Sequence, residues 1–379
     1  MLKKIYKWAP FFLLFIPFKL LALINRKRNT VLLFGTGTGL YHDNSKYLFE
    51  YLLANNDLYG YEVYWVAKNK ELYKELKKLG KPVLLKNSLG AVFKASCAKA
   101  YFITAEIFDV FWYIKPTTLL IQLWHGTPIK KIAYDTAAYK YYLEKREKYF
   151  TKNYSFSRFD YFIIEDENYR NIFLSAFRID KEKVMALGQP RNTIFGSELK
   201  LAYELKRDLS VDVFDKIILY APTFRENEVS NVEVLDLLLQ EDALQFLEKY
   251  NYCLLIKLHP YVSSLASIKE CLTNIYHPNI INVSDYTDTQ ELLLISDALV
   301  TDISSLAFDY MMSSDNLYTF FPDIDDYRSI RGGFYNTSYD LLYSKSNPIS
   351  SLNEIGFVGL ARRKFESTTN FDILKLLES

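Results

Sequence analysis

The residues able to do chemistry stand directly after short apolar runs. His125 follows the run 119–123, in the string Trp124-His125-Gly126-Thr127-Pro128-Ile129-Lys130-Lys131. Imidazole titrates near pH 6.5, so His125 can take a proton at neutral pH; a hydrogen-bonded structural histidine is the other reading. Lys130 and Lys131 either meet phosphate or are simply solvated. His259 stands in the same position after the run 253–257, with Pro260 stiffening the turn. The run 216–220 leads into Ala221-Pro222-Thr223-Phe224-Arg225. A guanidinium fork fits phosphate oxygens, so Arg225 is either a phosphate clamp or a surface arginine. The run 298–301 leads into Asp302-Ile303-Ser304-Ser305 and a helical segment. Serines there offer hydroxyls beside free backbone N–H groups, an anion site of the phosphate-binding kind, or an ordinary helix cap. Gly35-Thr36-Gly37-Thr38-Gly39 reads GxGxG rather than GxGxxG, and no acidic residue ends the second strand. A tight turn followed by an Asn44 or Ser45 cap competes with a nucleotide site.

These positions need strands to hold them. Buried-strand patterns fall at 30–35, 63–67, 82–85, 100–104, 119–123, 161–164 and 184–187, with helical spacing at 44–54 and 71–79. The pattern then restarts, with strands at 216–220, 253–257, 280–283 and 298–301. Helices are predicted at 289–295 and 306–311, and one long helix at 232–250. Alternating strands and helices imply parallel sheets covered on both faces, whose ligands sit at the carboxyl ends of the strands. Two series predict an α/β chain of two Rossmann-like domains facing across a cleft, joined within 191–215. Paired strand-end histidines in the two domains would suit acid–base or phosphate chemistry.

Composition agrees with two globular domains. The chain has 379 residues, half of them hydrophobic, with formal net charge +1 from 46 basic and 45 acidic residues. That balance argues against a bulk-charge nucleic-acid binder. The three scattered cysteines form no CxxC pair, so neither a zinc ribbon nor a disulfide framework is supported, and a reducing compartment fits. Residues 1–28 read MLKKIYKWAPFFLLFIPFKLLALINRKR. Lys19 and two prolines interrupt the apolar run, and basic residues flank it. The segment therefore reads as an in-plane contact with an anionic membrane surface; the alternatives are a cleaved signal peptide, for which no convincing small-x-small cleavage site follows, and a helix packed on the protein's own surface.

Taken in order, WHGTPIKK at 124–131, GQPRN at 188–192, APTFR at 221–225, KLHP at 257–260 and TDISSLAFDY at 301–310 resemble the motif set of the CDP-glycerol glycerophosphotransferases, the teichoic-acid primase and polymerase family. DNSKYLFEYL at 43–52 adds to the match, and the resemblance covers residue 30 to the C-terminus. It implies a GT-B-like fold with a membrane-associating segment (1–28), an acceptor domain (29–200) and a CDP-alditol donor domain (201–379). It also implies transfer of glycerol phosphate from CDP-glycerol, or ribitol phosphate from CDP-ribitol, to a hydroxyl of a lipid-linked glycan, with release of CMP at the cytoplasmic face of the cell membrane. By the same resemblance, His125 matches the proposed general base. His259 matches a histidine that hydrogen-bonds the donor diphosphate or protonates CMP. Ser304 and Ser305 match the diphosphate-binding pair, and Arg225 an arginine beside the phosphates. Gly126, Thr127, Lys130, Arg191, Pro222, Thr223, Lys257, Thr301 and Asp302 fall within the matching strings as substrate-binding candidates. No cofactor, metal or nucleic acid is implied; the acidic run 323–326 reads as a capped loop. Thr193, Phe224 and Ile303 depart from the family's usual Asp, Trp and Tyr. The rival readings are a CMP-sialic-acid-dependent glycosyltransferase of the same architecture and a non-catalytic membrane-bound subunit with a degenerate site, against which both histidines and both serines argue.

Overall fold

The structure, a computed structural model, describes residues 14–25, 29–111, 113–137, 140, 158–196, 199–225, 227–274, 277–324, 333–357 and 371–377. The chain divides into two compact units. One comprises Met1–His125, Leu143–Arg191 and Thr368–Ser379; the other comprises Gly126–Tyr142 and Asn192–Ser367.

The first unit is built on a parallel sheet of seven strands: β1 (Val31–Phe34), β2 (Glu62–Ala67), β3 (Val83–Leu85), β4 (Ala98–Ile103), β5 (Leu119–Gln122), β6 (Tyr161–Ile164) and β7 (Val184–Ala186). Their spatial order is β3-β2-β1-β4-β5-β6-β7. Every residue of the central β1 is buried, as a strand covered on both faces requires. In register, Phe34 lies beside Trp65 and Phe102, and its ring stacks on that of Phe102 at 4.6 Å. The helix Asp43–Ala54 adds Leu48, Phe49 and Leu52 to this core, and the 371–377 segment adds Ile373 and Leu374.

The second unit carries six parallel strands: β8 (Lys216–Tyr220), β9 (Tyr252–Ile256), β10 (Ile280–Asn282), β11 (Ala298–Thr301), β12 (Leu317–Thr319) and β13 (Asn347–Pro348), ordered β10-β9-β8-β11-β12-β13. This order sets the carboxyl ends of β9, β8 and β11 side by side, and with them the strings 257–260, 221–225 and 301–305.

Three expectations are corrected. The predicted helix 232–250 is two helices, Glu228–Leu238 and Glu241–Lys249, because Gln240 turns extended at the N-cap position of the second. Neither Asn44 nor Ser45 caps the helix Asp43–Ala54; His42 is the N-cap residue, and the Ser45 hydroxyl donates instead to the Gly35 carbonyl at 2.8 Å. Strands β12 and β13 extend the second sheet beyond the four strands expected.

Residues 14–24 form a helix. Phe18 is buried with its ring 4.4 Å from that of Tyr113, and Asn25 just beyond donates to the Ser96 hydroxyl at 2.9 Å. Its other side exposes Ile16, Leu20, Leu23 and Ile24. Residues 1–13 and 26–28, with all the flanking basic residues, lie outside the described residues. Among the described residues no helix is long and apolar enough to cross a membrane. Cys97, Cys253 and Cys271 are buried and none is in a disulfide. Burial pushes the Cys253 thiol up to about 12, and burial together with the Asp236 carboxylate does the same for Cys271.

The glycines differ sharply in what surrounds them. A Cβ on Gly35 would lie 2.3 Å from the Asp109 carbonyl oxygen, whereas one on Gly90 would meet nothing within 4 Å. Gly35→Ala should therefore destabilise by roughly 1–3 kcal/mol through overpacking against backbone. Gly90→Ala, inside a helix, should be neutral or stabilise by up to about 1 kcal/mol. Comparing the urea midpoints of the two variants checks this contrast.

Candidate active site

In the first unit, the strand-end chemistry centres on His125. Asp109 shapes the turn after β4: its Oδ2 accepts the backbone N–H groups of Thr104, Ala105 and Glu106 at 3.1, 2.8 and 3.2 Å. Held in that turn, the Thr104 carbonyl lies 2.7 Å from His125 Nδ1. A carbonyl can only accept, so Nδ1 carries the proton and, in the neutral ring, Nε2 keeps its lone pair. The imidazole is exposed, with its ring centroid 4.0 Å from that of Trp124. Trp124 packs on Phe162 and Phe177 at 5.7 and 4.7 Å, so the ring beside His125 is fixed from below.

Arg191 does not point outward. It is buried and its Nη1 pairs with Asp43 Oδ1 at 2.8 Å.

In the second unit, Gly126 continues the WHG turn at φ +130°, a conformation that favours glycine. Thr127 is buried. Residues 129–131 then run antiparallel beside 333–335: Lys130 bridges Phe334, and the Tyr335 N–H donates to the Ile129 carbonyl at 2.8 Å. His259 is the N-cap residue of the short helix Pro260–Ser264, its Nδ1 accepting the Tyr261 N–H at 3.2 Å. An accepting Nδ1 places the neutral ring's proton on Nε2, where it is available for donation. Local burial lowers the His259 pKa, and the charges of Lys257 and Lys130 lower it further, so the neutral form is favoured. The fold thus gathers three predicted residues, Lys130, Lys257 and His259, into one electrostatic neighbourhood. The ring of Phe224 joins them, its centroid 5.6 Å from that of His259. Lys257 itself donates to the carbonyls of Ser284 and Tyr286, both at 2.7 Å, and so ties the ends of β9 and β10 together.

Arg225 departs most from a phosphate clamp. It is buried, and its Nε and Nη2 form a fork on Asp323 at 3.1 and 2.8 Å, while Nη1 reaches Asp302 at 2.5 Å and the Thr223 carbonyl at 2.7 Å. Asp302 also accepts the Thr223 N–H at 2.9 Å, and the Thr301 hydroxyl donates to the Ala221 carbonyl at 2.6 Å. Arg225, Asp302, Thr301 and Thr223 therefore lock two strand ends together, with Pro222 in the locked loop. Ser304 and Ser305, next along, are half-buried, and the Ser304 hydroxyl accepts the Leu306 N–H at 3.3 Å. The helix they precede, Leu306–Met311, spans six residues, so the hydroxyls matter more than any dipole. Asp323 was read from sequence only as part of a loop; Asp325 and Asp326 lie outside the described residues. Among the described residues no group of three or more His, Cys, Asp or Glu side chains is arranged to hold a metal ion.

Residues 16–342 match the CDP-Glycerol:Poly(glycerophosphate) glycerophosphotransferase family. The chain belongs to this family. It is similar to the teichoic acid poly(glycerol phosphate) polymerase of Staphylococcus epidermidis, 31% identical over 84% of this chain and 44% of that protein. It is also similar to the teichoic acid poly(glycerol phosphate) polymerase of Bacillus spizizenii, 30% identical over 89% of this chain and 84% of that one. The chain thus spans less than half of the first relative and most of the second. A solved structure of the wall teichoic acid polymerase TagF, a histidine-to-asparagine variant soaked with CDPG, superposes with a TM-score of 0.66 at 25% identity, covering 92% of this chain and 88% of that one. The two-sheet α/β architecture is GT-B-like, as in that polymerase.

The Arg225 lock has a measurable weight. Removing Asp302 leaves a buried guanidinium with one carboxylate, Asp323, in place of two, and frees the Thr223 N–H. Asp302→Ala should lower stability by on the order of 3 kcal/mol. Asp323→Ala, which removes a partly exposed carboxylate, should cost less; urea unfolding of both variants tests the order.

Proposed function

We propose that this chain transfers glycerol phosphate from CDP-glycerol to a hydroxyl of a membrane- or lipid-linked glycan, releasing CMP, in the synthesis of teichoic acid or a related cell-surface polymer. The acceptor oxygen attacks the glycerol-bearing phosphorus, the bond from that phosphorus to the bridging oxygen of CMP breaks, and the acceptor proton passes to His125 Nε2. The observation that carries this reading is the His125 geometry: an exposed ring whose Nδ1–H is bound by the Thr104 carbonyl, leaving Nε2 able to accept a proton. Membership of the glycerophosphotransferase family supports the donor.

The second unit binds the donor in this reading. Phosphoryl transfer depends mainly on positioning and on stabilising charge spread over phosphate oxygens. The His259 Nε2–H and the Ser304 and Ser305 hydroxyls are the donors for that charge, with Lys130 and Lys257 supplying positive potential. His259 acts as a neutral hydrogen-bond donor, in keeping with its lowered pKa and its accepting Nδ1. Arg225, Thr223, Asp302 and Thr301 hold the loop, and Arg191 acts within its own unit rather than on substrate.

The N-terminal helix completes the reading. Ile16, Leu20, Leu23 and Ile24 present an apolar stripe, and Lys19 is exposed beside it. That combination suits peripheral contact with an anionic lipid surface at the cytoplasmic face of the membrane.

CMP release from purified protein is the decisive measurement, with CDP-glycerol, CDP-ribitol and CMP-sialic acid in parallel on a lipid-linked disaccharide. Acceptor-dependent release from CDP-glycerol is expected. Release from CDP-ribitol alone would change the alditol, and release from CMP-sialic acid alone would overturn the reaction class. His125→Ala should lose on the order of 10²-fold in rate or more with the fold intact; wild-type turnover would remove His125 as base. Leu20→Glu combined with Leu23→Glu should abolish co-sedimentation with vesicles containing anionic phospholipid while leaving CMP release on a soluble acceptor unchanged. Undiminished co-sedimentation would rule out this helix as the contact.

A further inference from the structure

Three strings far apart in sequence, 43–44, 123–124 and 189–191, meet at one buried amide. Asn44 is fully buried. Its Nδ2 donates to the carbonyls of Leu123 at 3.1 Å and Trp124 at 3.0 Å, and also to Gln189 Oε1. Its Oδ1 accepts the Arg191 backbone N–H at 3.1 Å. Arg191 then returns through its guanidinium to Asp43, whose Oδ1 also accepts the Asn44 N–H at 2.8 Å.

The backbone around this amide is strained. Trp124 sits at φ +56° and Asp43 at φ +64°. A bulky side chain rarely adopts that region, and it persists only where its surroundings over-determine it. Asn44 supplies that constraint for Trp124. The carbonyl it holds belongs to the Trp124–His125 peptide, and a peptide unit is planar. Fixing that oxygen therefore fixes the plane from which the His125 Cα departs. The Trp124 N–H is held as well, by Gln122 Oε1 at 2.9 Å. His125 is thus anchored twice, through its backbone by Asn44 and through its ring by the Thr104 carbonyl.

We propose that Asn44 is a positioning residue for His125, setting the WHG turn so that Nε2 faces the acceptor, and that Gln189 and Arg191 serve by holding Asn44. The chemistry requires an amide here. Only an amide donates to two carbonyls while accepting an N–H; a carboxylate of the same shape would turn acceptors toward both carbonyls. The proposal rests on the reading of His125 as the acceptor's base.

A double-mutant cycle on CMP release tests it, using CDP-glycerol and a lipid-linked acceptor with Asn44→Ala, His125→Ala and the two together. If Asn44 acts through His125, Asn44→Ala lowers kcat by about 10²-fold and leaves KM for CDP-glycerol within about 2-fold, and it adds less than about 3-fold in the His125→Ala background. Asn44→Asp, isosteric but unable to donate, falls with Asn44→Ala. Gln189→Met, which removes a single partner of the amide, gives an intermediate loss of about 10-fold and carries the test should Asn44→Ala not fold. The proposal is overturned if folded Asn44→Ala, or Gln189→Met in its place, keeps wild-type kcat, or if its effect is undiminished when His125 is already absent. Wild-type turnover by His125→Ala would sink the base reading itself. A dead His125→Ala beside an active Asn44→Ala would sink only the inference about Asn44.

Discussion

A parallel sheet buried on both faces leaves no room for polar chemistry along its strands, and that constraint organises both units. β1 and β11 are buried along their whole lengths, so every group able to react or bind is pushed to the carboxyl ends. There the polar groups crowd together, partly out of reach of water, and must satisfy one another. The first unit solves this with the Asp109 and Asn44 hydrogen bonds, the second with Arg225 between two carboxylates. Each network consumes residues that look, one at a time, like ligand groups.

The two histidines show how far such surroundings reach into chemistry. Both lie at strand ends, yet their ring nitrogens are used in opposite senses. His125 donates from Nδ1 to a carbonyl, while His259 accepts at Nδ1 from a backbone N–H. The same side chain is thereby set up as a proton acceptor in one unit and a proton-bearing donor in the other. Neither assignment involves a neighbouring carboxylate; backbone alone chooses the tautomer.

Much of this was legible in the sequence. Eleven of the strands, the placement of both histidines and the family all follow from short apolar runs and the strings after them. β12 and β13 were not legible: β12 holds a single aliphatic residue, Leu317, and β13 is the exposed pair Asn347–Pro348, so neither makes an apolar run. The break at Gln240 escaped because neither Gly nor Pro marks it. Arg191 and Arg225 read as ligand groups because a sequence shows a charge without its partner; Asp43 lies 148 positions from Arg191 and Asp323 lies 98 from Arg225. Asn44 looked like a helix cap for the same reason, since its acceptors lie 79 and 80 residues away.

The cysteines bring a practical consequence. All three are buried, and the thiols of Cys253 and Cys271 are held far from their reactive thiolate form. The native protein is therefore close to silent toward maleimides and related electrophiles. A single cysteine introduced beside His125, or on the exposed stripe of the 14–24 helix, would carry a fluorophore or spin label at one known address without any native thiol having to be removed first.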